Sequence, residues 1–276
     1  MSYEAEVSRN NPSAFLFLID MSGSMTDPYG GGKRKADGVA DAINKLLSNL
    51  SIKCTKSEGV RDYYEVGVIT YGKKVEPGLG GELAGQTLAP ISVVANHPAR
   101  VEERARKEED GAGGITEVKV KFPIWFDPKA AGSTPMCKAF SLAHETLQPW
   151  VAAHPYSFPP IVINITDGES TDGDPLPHAE ALRALETQDG KALLFNCHIS
   201  GAQGNSVLFA DAEEELADQH AKLLFQMSSV LPEGLRDGAQ REGFPVSENS
   251  RGFAFNADLV ELIRFLDIGT RPSNLR

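Results

Sequence analysis

Three short polar segments of this sequence carry oxygen-bearing side chains at spacings that suit a metal cation. They read Asp20-Met21-Ser22-Gly23-Ser24, Gly132-Ser133-Thr134-Pro135 and Thr166-Asp167-Gly168. Together they offer two carboxylates and three hydroxyls, on Asp20, Ser22, Ser24, Thr134 and Asp167. Ser22 and Ser24 stand two residues apart, so an extended loop turns both hydroxyls to the same side. All five donors are hard oxygens, which favour Mg²⁺, with Mn²⁺ or Ca²⁺ as substitutes, over Zn²⁺ or Cu²⁺.

Each polar segment adjoins a predicted element of secondary structure. Residues 14–19 and 160–166 are short apolar runs that end at an acidic residue, which is typical of buried strands in a parallel sheet. Residues 135–151 carry apolar side chains on one helical face, so Thr134 directly precedes a helix. The carboxyl ends of parallel strands share one edge of the sheet, where ligands bind at the switch in strand order. The five side chains are therefore expected to converge there.

The rest of the chain alternates between strand and helix patterns. Strands are predicted at 65–71, around Val75 and at 192–199, and helices at 33–50, 177–187, 212–228 and 259–266. Among these strands, which exclude the insertion, only those at 65–71 and around Val75 are close enough in sequence to form a hairpin. The predicted class is α/β: a Rossmann-like, doubly wound, mainly parallel sheet with one antiparallel edge strand and helices on both faces.

The predicted organisation is a single domain, 1–276, with an insertion at about 76–131. Within the insertion, residues 100–107 and 117–126 flank Asp-Gly-Ala-Gly-Gly at 110–114, which predicts a hairpin turn. The second arm alternates like a strand, and a two-stranded ribbon is preferred. The first arm is charged enough to be a helix instead, and this alternative stays open. At least one of Trp125 and Phe126 is expected to pack in a core.

Composition limits the possible partners. The net charge of −11 argues against nucleic acid and against an anionic membrane surface. No apolar run approaches the ~18 residues that would span a bilayer, and the polar N-terminus does not have the pattern of a signal peptide. The three cysteines, Cys54, Cys137 and Cys197, form no Cys-x-x-Cys pair, which favours reduced thiols and a cytoplasmic location.

The three polar segments resemble the metal-ion-dependent adhesion site of von Willebrand factor A (VWA) domains. That family's pattern is Asp-x-Ser-x-Ser, then a distant Thr, then a distant Asp, and Asp20-x-Ser22-x-Ser24, Thr134 and Asp167 are similar to it in order and context. The resemblance covers residues 14–75 and 132–268 and leaves the insertion aside. It points to the intracellular bacterial type of the family.

The resemblance implies a function as well as a fold. The hydroxyls of Ser22, Ser24 and Thr134 would bind Mg²⁺ directly, and Asp20 and Asp167 would bind it directly or through water. A carboxylate from an Asp or Glu of a protein partner would then complete the coordination shell. Intracellular members act as scaffolds beside AAA+ ATPases, kinases or phosphatases, which makes these the expected kinds of partner.

Two other functions stay open at this stage. The first is a Mg²⁺-dependent phosphoryl-transfer or hydrolytic enzyme that uses the same site, with Glu169 as the base. Ser22 stands where Asp-x-Asp phosphatases place their general acid, and the sequence contains no Gly-x-Ser-x-Gly elbow. The second is a structural subunit with a vestigial metal site. Glu169, Asp172 and Asp174 are predicted to form a solvated acidic loop. His198 is predicted to be a hydrogen-bonded residue at the end of a strand.

Overall fold

The computed structural model of the chain describes residues 3–29, 32–109, 115–200, 206–214, 216 and 219–270. The strands are β1 (Ser13–Asp20), β2 (Thr55–Lys56), β3 (Gly59–Val60), β4 (Tyr64–Tyr71), β5 (Val75–Pro77), β6 (Ala89–Pro90), β7 (Arg100–Glu109), β8 (Ile115–Ile124), β9 (Ile161–Thr166), β10 (Leu193–Ile199), β11 (Val207–Leu208) and β12 (Phe253–Ala257). The α-helices are α1 (Lys35–Cys54), α2 (Ile91–Asn96), α3 (Met136–Ala153), α4 (Leu176–Ala184), α5 (Gln219–Met227), α6 (Glu233–Arg241) and α7 (Leu259–Gly269). Short 3₁₀ turns cover Gly23–Thr26 and Gly81–Leu83.

One mixed sheet organises the described part of the chain. Its strand order is β11-β12-β10-β9-β1-β4-β5, and β6 also pairs with β4. The pairs among β12, β10, β9, β1 and β4 are parallel. The predicted α/β, mainly parallel class is confirmed. Antiparallel strands lie at both ends of the sheet, since β5 and β6 pair with β4 and the two-residue β11 pairs with β12.

The central strand β1 is buried on both faces. Phe15, Phe17 and Ile19 join the core cluster that contains the inner faces of α1 and α7. Leu16 and Leu18 join the cluster formed with α3, α4 and α5. Helices on both faces therefore explain the unbroken apolar run in the sequence, because neither face of the strand meets water.

The insertion forms the predicted ribbon. β7 and β8 pair antiparallel from Arg100 opposite Ile124 to Glu109 opposite Ile115, which excludes the helical alternative for the first arm. The turn predicted at 110–114 lies outside the described residues. Just after the ribbon, Trp125 and Phe126 are both buried, as expected for core packing. The insertion also contains α2 and β6, which no sequence pattern indicated.

Near the C-terminus the structure corrects one boundary and adds two elements. The helix predicted to begin at Ala212 begins at Gln219. Before it, Leu216 N donates to Glu213 O at 3.1 Å, a turn that buries Leu216 instead of continuing a helix. Helix α6 and strand β12 were not predicted, because α6 is mostly polar and β12 has only five residues. Among the described residues, no helix is long and apolar enough to cross a membrane.

Candidate metal centre

The candidate site lies at the carboxyl edge of the sheet, between β1 and β9. β1 pairs in parallel with β4 on one side and with β9 on the other. After β1 the strands are added toward β5, and from β9 onward they are added on the opposite side of β1, so the strand order reverses between β1 and β9. The register sets Ile19 opposite Ile165, which brings the ends of β1 and β9 to the same level. Asp20 ends the first strand and Asp167 follows the second. This is the switch point at which open α/β sheets bind ligands.

Hydrogen bonds link four of the five predicted residues directly. Ser22 N donates to Asp20 Oδ1 at 2.8 Å, which folds the serine loop back over the strand end. The Ser22 and Ser24 hydroxyls lie 3.0 Å apart, on the same side as predicted, although a 3₁₀ turn that begins at Gly23 brings them together and not an extended loop. Ser24 Oγ donates to Asp167 Oδ1 at 2.7 Å across 143 positions of sequence. The structure thus joins the first and third polar segments into one oxygen cluster.

Thr134, the fifth residue, is held beside this cluster by its backbone. Gly23 N donates to Gly132 O at 3.0 Å, and Thr171 N donates to Thr134 O at 2.9 Å. Gly132 has φ +93°, and a Cβ on it would lie 2.5 Å from Lys73 N, so only glycine fits here. The tight packing sets the position of Thr134 between the serine loop and the loop after β9.

The hydroxyl of Thr134 is left available at this position. The residue is only 5% exposed, and a Cβ added to Gly168 would lie 3.9 Å from its Oγ1. The N-cap residue of α3 is Pro135, which has no side chain that could cap the helix. Within the described ranges, Thr134 Oγ1 makes no hydrogen bond.

Asp20 is a buried carboxylate with neutral donors around it. The side chain is fully buried, and Thr166 Oγ1 donates to Asp20 Oδ2 at 2.7 Å. Burial raises the pKa of Asp20 from 3.8 to about 6; the hydrogen bonds from Ser22 and Thr166 oppose this shift, and the nearby charge of Asp167 adds to it. A cation would relieve the electrostatic cost of holding this carboxylate ionised.

Lys35 is a site residue that sequence reasoning missed. Its Nζ donates to Asp167 Oδ2 at 2.8 Å and lies 3.4 Å from Asp27 Oδ2. The Asp167 side chain is 0% exposed and the Lys35 side chain 11% exposed, so this ion pair is well shielded from water. A basic residue in the first turn of α1, eleven positions after Ser24, matches no motif that would have identified it.

Two acidic residues of the loop after β9 have structural roles. Asp172 Oδ1 accepts from Cys137 N at 3.0 Å and Oδ2 from Lys138 N at 3.1 Å, so it caps α3 from a distant segment. Asp174 Oδ1 accepts from Leu176 N at 3.0 Å at the start of α4. The expectation of a merely solvated acidic loop is wrong for Asp172, which is half-buried and binds two backbone amides of α3, whereas Asp174 is exposed, as expected. Glu169 is exposed, as expected.

A surface cavity of about 620 Å³ opens beside Asp167, with Glu169, His198, His220 and Phe255 in its lining. The His198 ring stacks on Phe255 at 4.4 Å, and its Nδ1 accepts from Asn256 N at 3.3 Å. Burial, together with neighbouring His220, lowers the pKa of His198 to about 4, so the imidazole is neutral at neutral pH. The simpler expectation of a hydrogen-bonded strand end fits this geometry.

The donor set suits a hard divalent cation. It combines two buried carboxylates with three hydroxyls, one of which has no partner among the described residues. In the described ranges, no three His, Cys, Asp or Glu side chains cluster as a metal site, so a cation here would depend on the hydroxyl oxygens. Such a donor set favours Mg²⁺ or Mn²⁺ over softer metals.

Comparisons with known proteins add information on the fold. The sequence matches no model of a protein family and no curated protein. Among solved structures, the pilus adhesin SpaC from Lactobacillus rhamnosus GG is similar over 96% of this chain and 31% of its own, at 14% identity and a TM-score of 0.50. Manganese-loaded TRAP protein from Plasmodium vivax gives 0.41 at 14% identity, over 95% of this chain and 74% of that one.

A third structural neighbour is the vWF domain of the type V pili tip protein Mfa5 from Porphyromonas gingivalis. It gives a TM-score of 0.33 at 12% identity, over 58% of this chain and 39% of that one. This chain therefore spans well under half the length of the pilus proteins that it matches. The likeness to SpaC over nearly the whole chain shows that the two share a fold.

Proposed function

We propose that this chain is a VWA-type protein-interaction module that binds Mg²⁺ and uses it to dock an acidic side chain of a protein partner. Ser22, Ser24 and Thr134 would hold the cation through their hydroxyls, and Asp20 and Asp167 would bind it directly or through water. The cytoplasmic location and the partner types expected from the sequence stay predictions.

The observation that supports this proposal is the convergence of three distant chain segments on one oxygen cluster. Ser24 Oγ contacts Asp167 Oδ1 at 2.7 Å, and the Gly23–Gly132 hydrogen bond of 3.0 Å brings the Thr134 segment alongside. A turn or a helix cap would explain each segment alone. It would not explain why the buried Thr134 makes no side-chain hydrogen bond within the described ranges while its hydroxyl faces Gly168, the residue after Asp167.

The chemistry of docking follows from the charges of these ligands. Hydroxyls are neutral, so a divalent cation held mainly by them keeps much of its positive charge. When bound, the cation supplies a Lewis-acidic centre that a further carboxylate oxygen can reach. Losing hydration opposes this contact, and binding should therefore require both the metal and an acidic partner group.

Affinity capture from native lysate tests the proposal. The wild-type chain is used as bait with Mg²⁺ and with a chelator, beside Thr134→Ala and the matched control Thr146→Ala on the outer part of α3. The expected result is a prey that the wild type and the control retain with Mg²⁺ but that chelator and Thr134→Ala each release. Prey retention that is the same under all conditions would contradict metal-dependent docking.

A phosphatase assay separates this proposal from the enzymatic alternative. General phosphate-ester substrates with Mg²⁺ are expected to give no turnover above a chelator blank. Robust Mg²⁺-dependent turnover that disappears in Ser22→Ala would show that the same site catalyses a reaction, and would overturn the binding-module proposal.

A further inference from the structure

A lysine sits inside the candidate metal site, where its charge opposes that of the cation. Lys35 Nζ donates to Asp167 Oδ2 at 2.8 Å, while Asp167 Oδ1 accepts from Ser24 at 2.7 Å. Both oxygens of this carboxylate are therefore occupied, one by a site hydroxyl and one by an ammonium. Lys35 is 8% exposed, so solvent screens its charge only weakly.

A positive charge at this position in the helix is unfavourable for the stability of the fold. Lys35 is the first residue of α1, where the helix dipole disfavours a positive charge. Its backbone N donates to Asp27 O at 2.9 Å, and its side chain then turns inward to Asp167 and Asp27. The neighbouring Arg34 and Lys33 instead pair with Asp37 and Asp41 on the exposed surface of the helix.

We propose that Lys35 is a built-in counter-charge that weakens divalent-metal binding and strengthens capture of the partner's carboxylate; this inference rests on the proposed function. With Lys35, the buried charges of Asp20, Asp167 and the ammonium sum to −1; the Asp27 side chain, 59% exposed, is left out of this sum because solvent screens its charge. A divalent cation brings the site to +1, and an acidic partner group then neutralises it. Without the lysine charge, the net charge of the site is −2 in the free chain, zero with the metal bound, and −1 with both the metal and the partner group bound.

The two effects have opposite signs, which distinguishes a counter-charge from a structural role. Removal of the ammonium should tighten metal binding and loosen carboxylate binding. A lysine that only supported the fold would, when removed, weaken both. Coulomb energies between charges a few ångströms apart in a half-shielded site are large enough to change each affinity by about tenfold.

The experiment titrates Mn²⁺ calorimetrically into the wild-type chain and into Lys35→Met, Lys35→Arg and Lys33→Met. The expected result is about tenfold tighter binding to Lys35→Met, with the charge-conserving Lys35→Arg and the surface control Lys33→Met near the wild type. Sodium acetate, matched for ionic strength with sodium chloride, is then titrated against each Mn²⁺ complex and followed by water-proton relaxation. Acetate should displace metal-bound water at about tenfold higher concentration in Lys35→Met.

Unchanged or weaker Mn²⁺ binding to a folded Lys35→Met would overturn the inference, as would unchanged acetate affinity. If the wild type itself binds no Mn²⁺, the proposed function fails instead, so the two failures are distinct. If Lys35→Met does not fold, the inference is tested instead by NMR of the lysine side chains in the wild type. The Lys35 Nζ resonance, assigned by its absence in Lys35→Arg, should shift with Mg²⁺ while that of Lys33 does not; no shift would overturn the inference.

Discussion

The buried carboxylate of Asp20 is supported by the hydroxyl of Thr166 as well as by Ser22. Thr166 Oγ1 donates to Asp20 Oδ2 at 2.7 Å and accepts from Gly168 N at 3.2 Å. Both Asp20 and Thr166 are fully buried. The hydroxyl thus connects the carboxylate to the start of the loop that carries Asp167.

Replacement of Thr166 by valine keeps the shape of the side chain and removes these hydrogen bonds. We expect Thr166→Val to lower the free energy of unfolding by about 2 kcal/mol, because the buried carboxylate of Asp20 loses one of its hydrogen-bond donors and keeps only those of Ser22. Urea unfolding at neutral pH measures the change. The control is Thr146→Val on α3, a half-buried residue whose hydroxyl donates to the helix carbonyl of Leu142. It should change stability by less than about 0.5 kcal/mol, and equal losses in both variants would contradict the assignment.

At the residue scale, the sequence predicted the oxygen donors but not the groups that support them. Asp20, Ser22, Ser24, Thr134 and Asp167 follow a spaced pattern, and the structure brings them to one edge of the sheet. Lys35 and Thr166 act through contacts across 132 and 146 positions of sequence. No local spacing encodes such contacts, so they appear only once the strand register is known.

The element that carries Thr134 is stabilised by a carboxylate from another loop. Asp172 accepts hydrogen bonds from the second and third backbone amides of α3, those of Cys137 and Lys138. Although partial burial opposes it, these amides and Ser170 lower the pKa of Asp172 below 3.8. A lowered pKa in the folded state means that the ionised group contributes stability above the pKa of the unfolded chain. This contribution disappears as the pH falls through the folded pKa.

We therefore expect Asp172→Ala to cost about 1–2 kcal/mol of stability at pH 7. The difference from the wild type should shrink below about pH 4, where the wild-type carboxylate takes up its proton. Urea unfolding at pH 7 and pH 3 measures both differences. Glu169→Ala, in the same loop but exposed, serves as the control and should match the wild type at either pH. A stability gap for Asp172→Ala that is as large at pH 3 as at pH 7 would contradict the capping role.

The ribbon is joined to α1 through the amide of Asn44. Asn44 Oδ1 accepts from Trp125 N at 2.8 Å and from Phe126 N at 3.1 Å, and its Nδ2 donates to Phe126 O at 2.8 Å. All three residues are buried. One side chain thus satisfies three backbone groups at the end of the insertion.

Asn44→Ala should lower the free energy of unfolding by about 3 kcal/mol or more, since it leaves several buried polar groups without partners. Thermal and urea unfolding measure this loss. The matched control is Asn49→Ala on the exposed side of the same helix, for which a change below about 0.5 kcal/mol is expected. Similar stabilities of the two variants would show that α1 does not anchor the ribbon.

At the element scale, segments with a strong apolar pattern could be predicted, and mostly polar or very short segments could not. The central strand β1 and helix α3 stand out because unbroken apolar runs and helical apolar faces are strong signals. Strand β12 and helix α6 are only five and nine residues long, and packing rather than propensity fixes them. The start of α5 was predicted too early because turn formation around Leu216 outweighed the helix-forming residues before it.

The whole molecule carries a net charge of −11, and two of its carboxylates are buried in the candidate site. A cation that binds the folded chain alone must stabilise it by mass action. At a Mg²⁺ concentration 100 times the Kd, the gain is about 2.7 kcal/mol. For a domain of this size, that gain corresponds to a rise in Tm of about 5 °C.

We expect this rise for the wild type and not for Thr134→Ala. Differential scanning calorimetry with Mg²⁺, and with NaCl at matched ionic strength, measures it. Nonspecific screening of the net charge would raise the Tm of both proteins in both salts. An equal shift in the wild type and in Thr134→Ala would therefore remove the support for a specific site.

The sheet class of the whole molecule followed from alternating strand and helix patterns, but the strand order did not. Alternation predicts a parallel sheet without stating which strand lies beside which. The order β11-β12-β10-β9-β1-β4-β5 puts β9 next to β1, although 140 residues separate the end of one strand from the start of the other. That neighbour relation makes the site: the shared edge of parallel strands predicted that the polar segments converge, but not that β9 lies directly beside β1.

The central claim is that three distant segments bind one cation, and the anomalous scattering of Mn²⁺ in a crystal of the chain tests it most directly. The account predicts a single strong peak at the carboxyl edge of the sheet, within about 2.3 Å of the hydroxyl oxygens of Ser22, Ser24 and Thr134. It also predicts that the peak is absent in Thr134→Ala. A peak elsewhere, or none at saturating Mn²⁺, would contradict the claim.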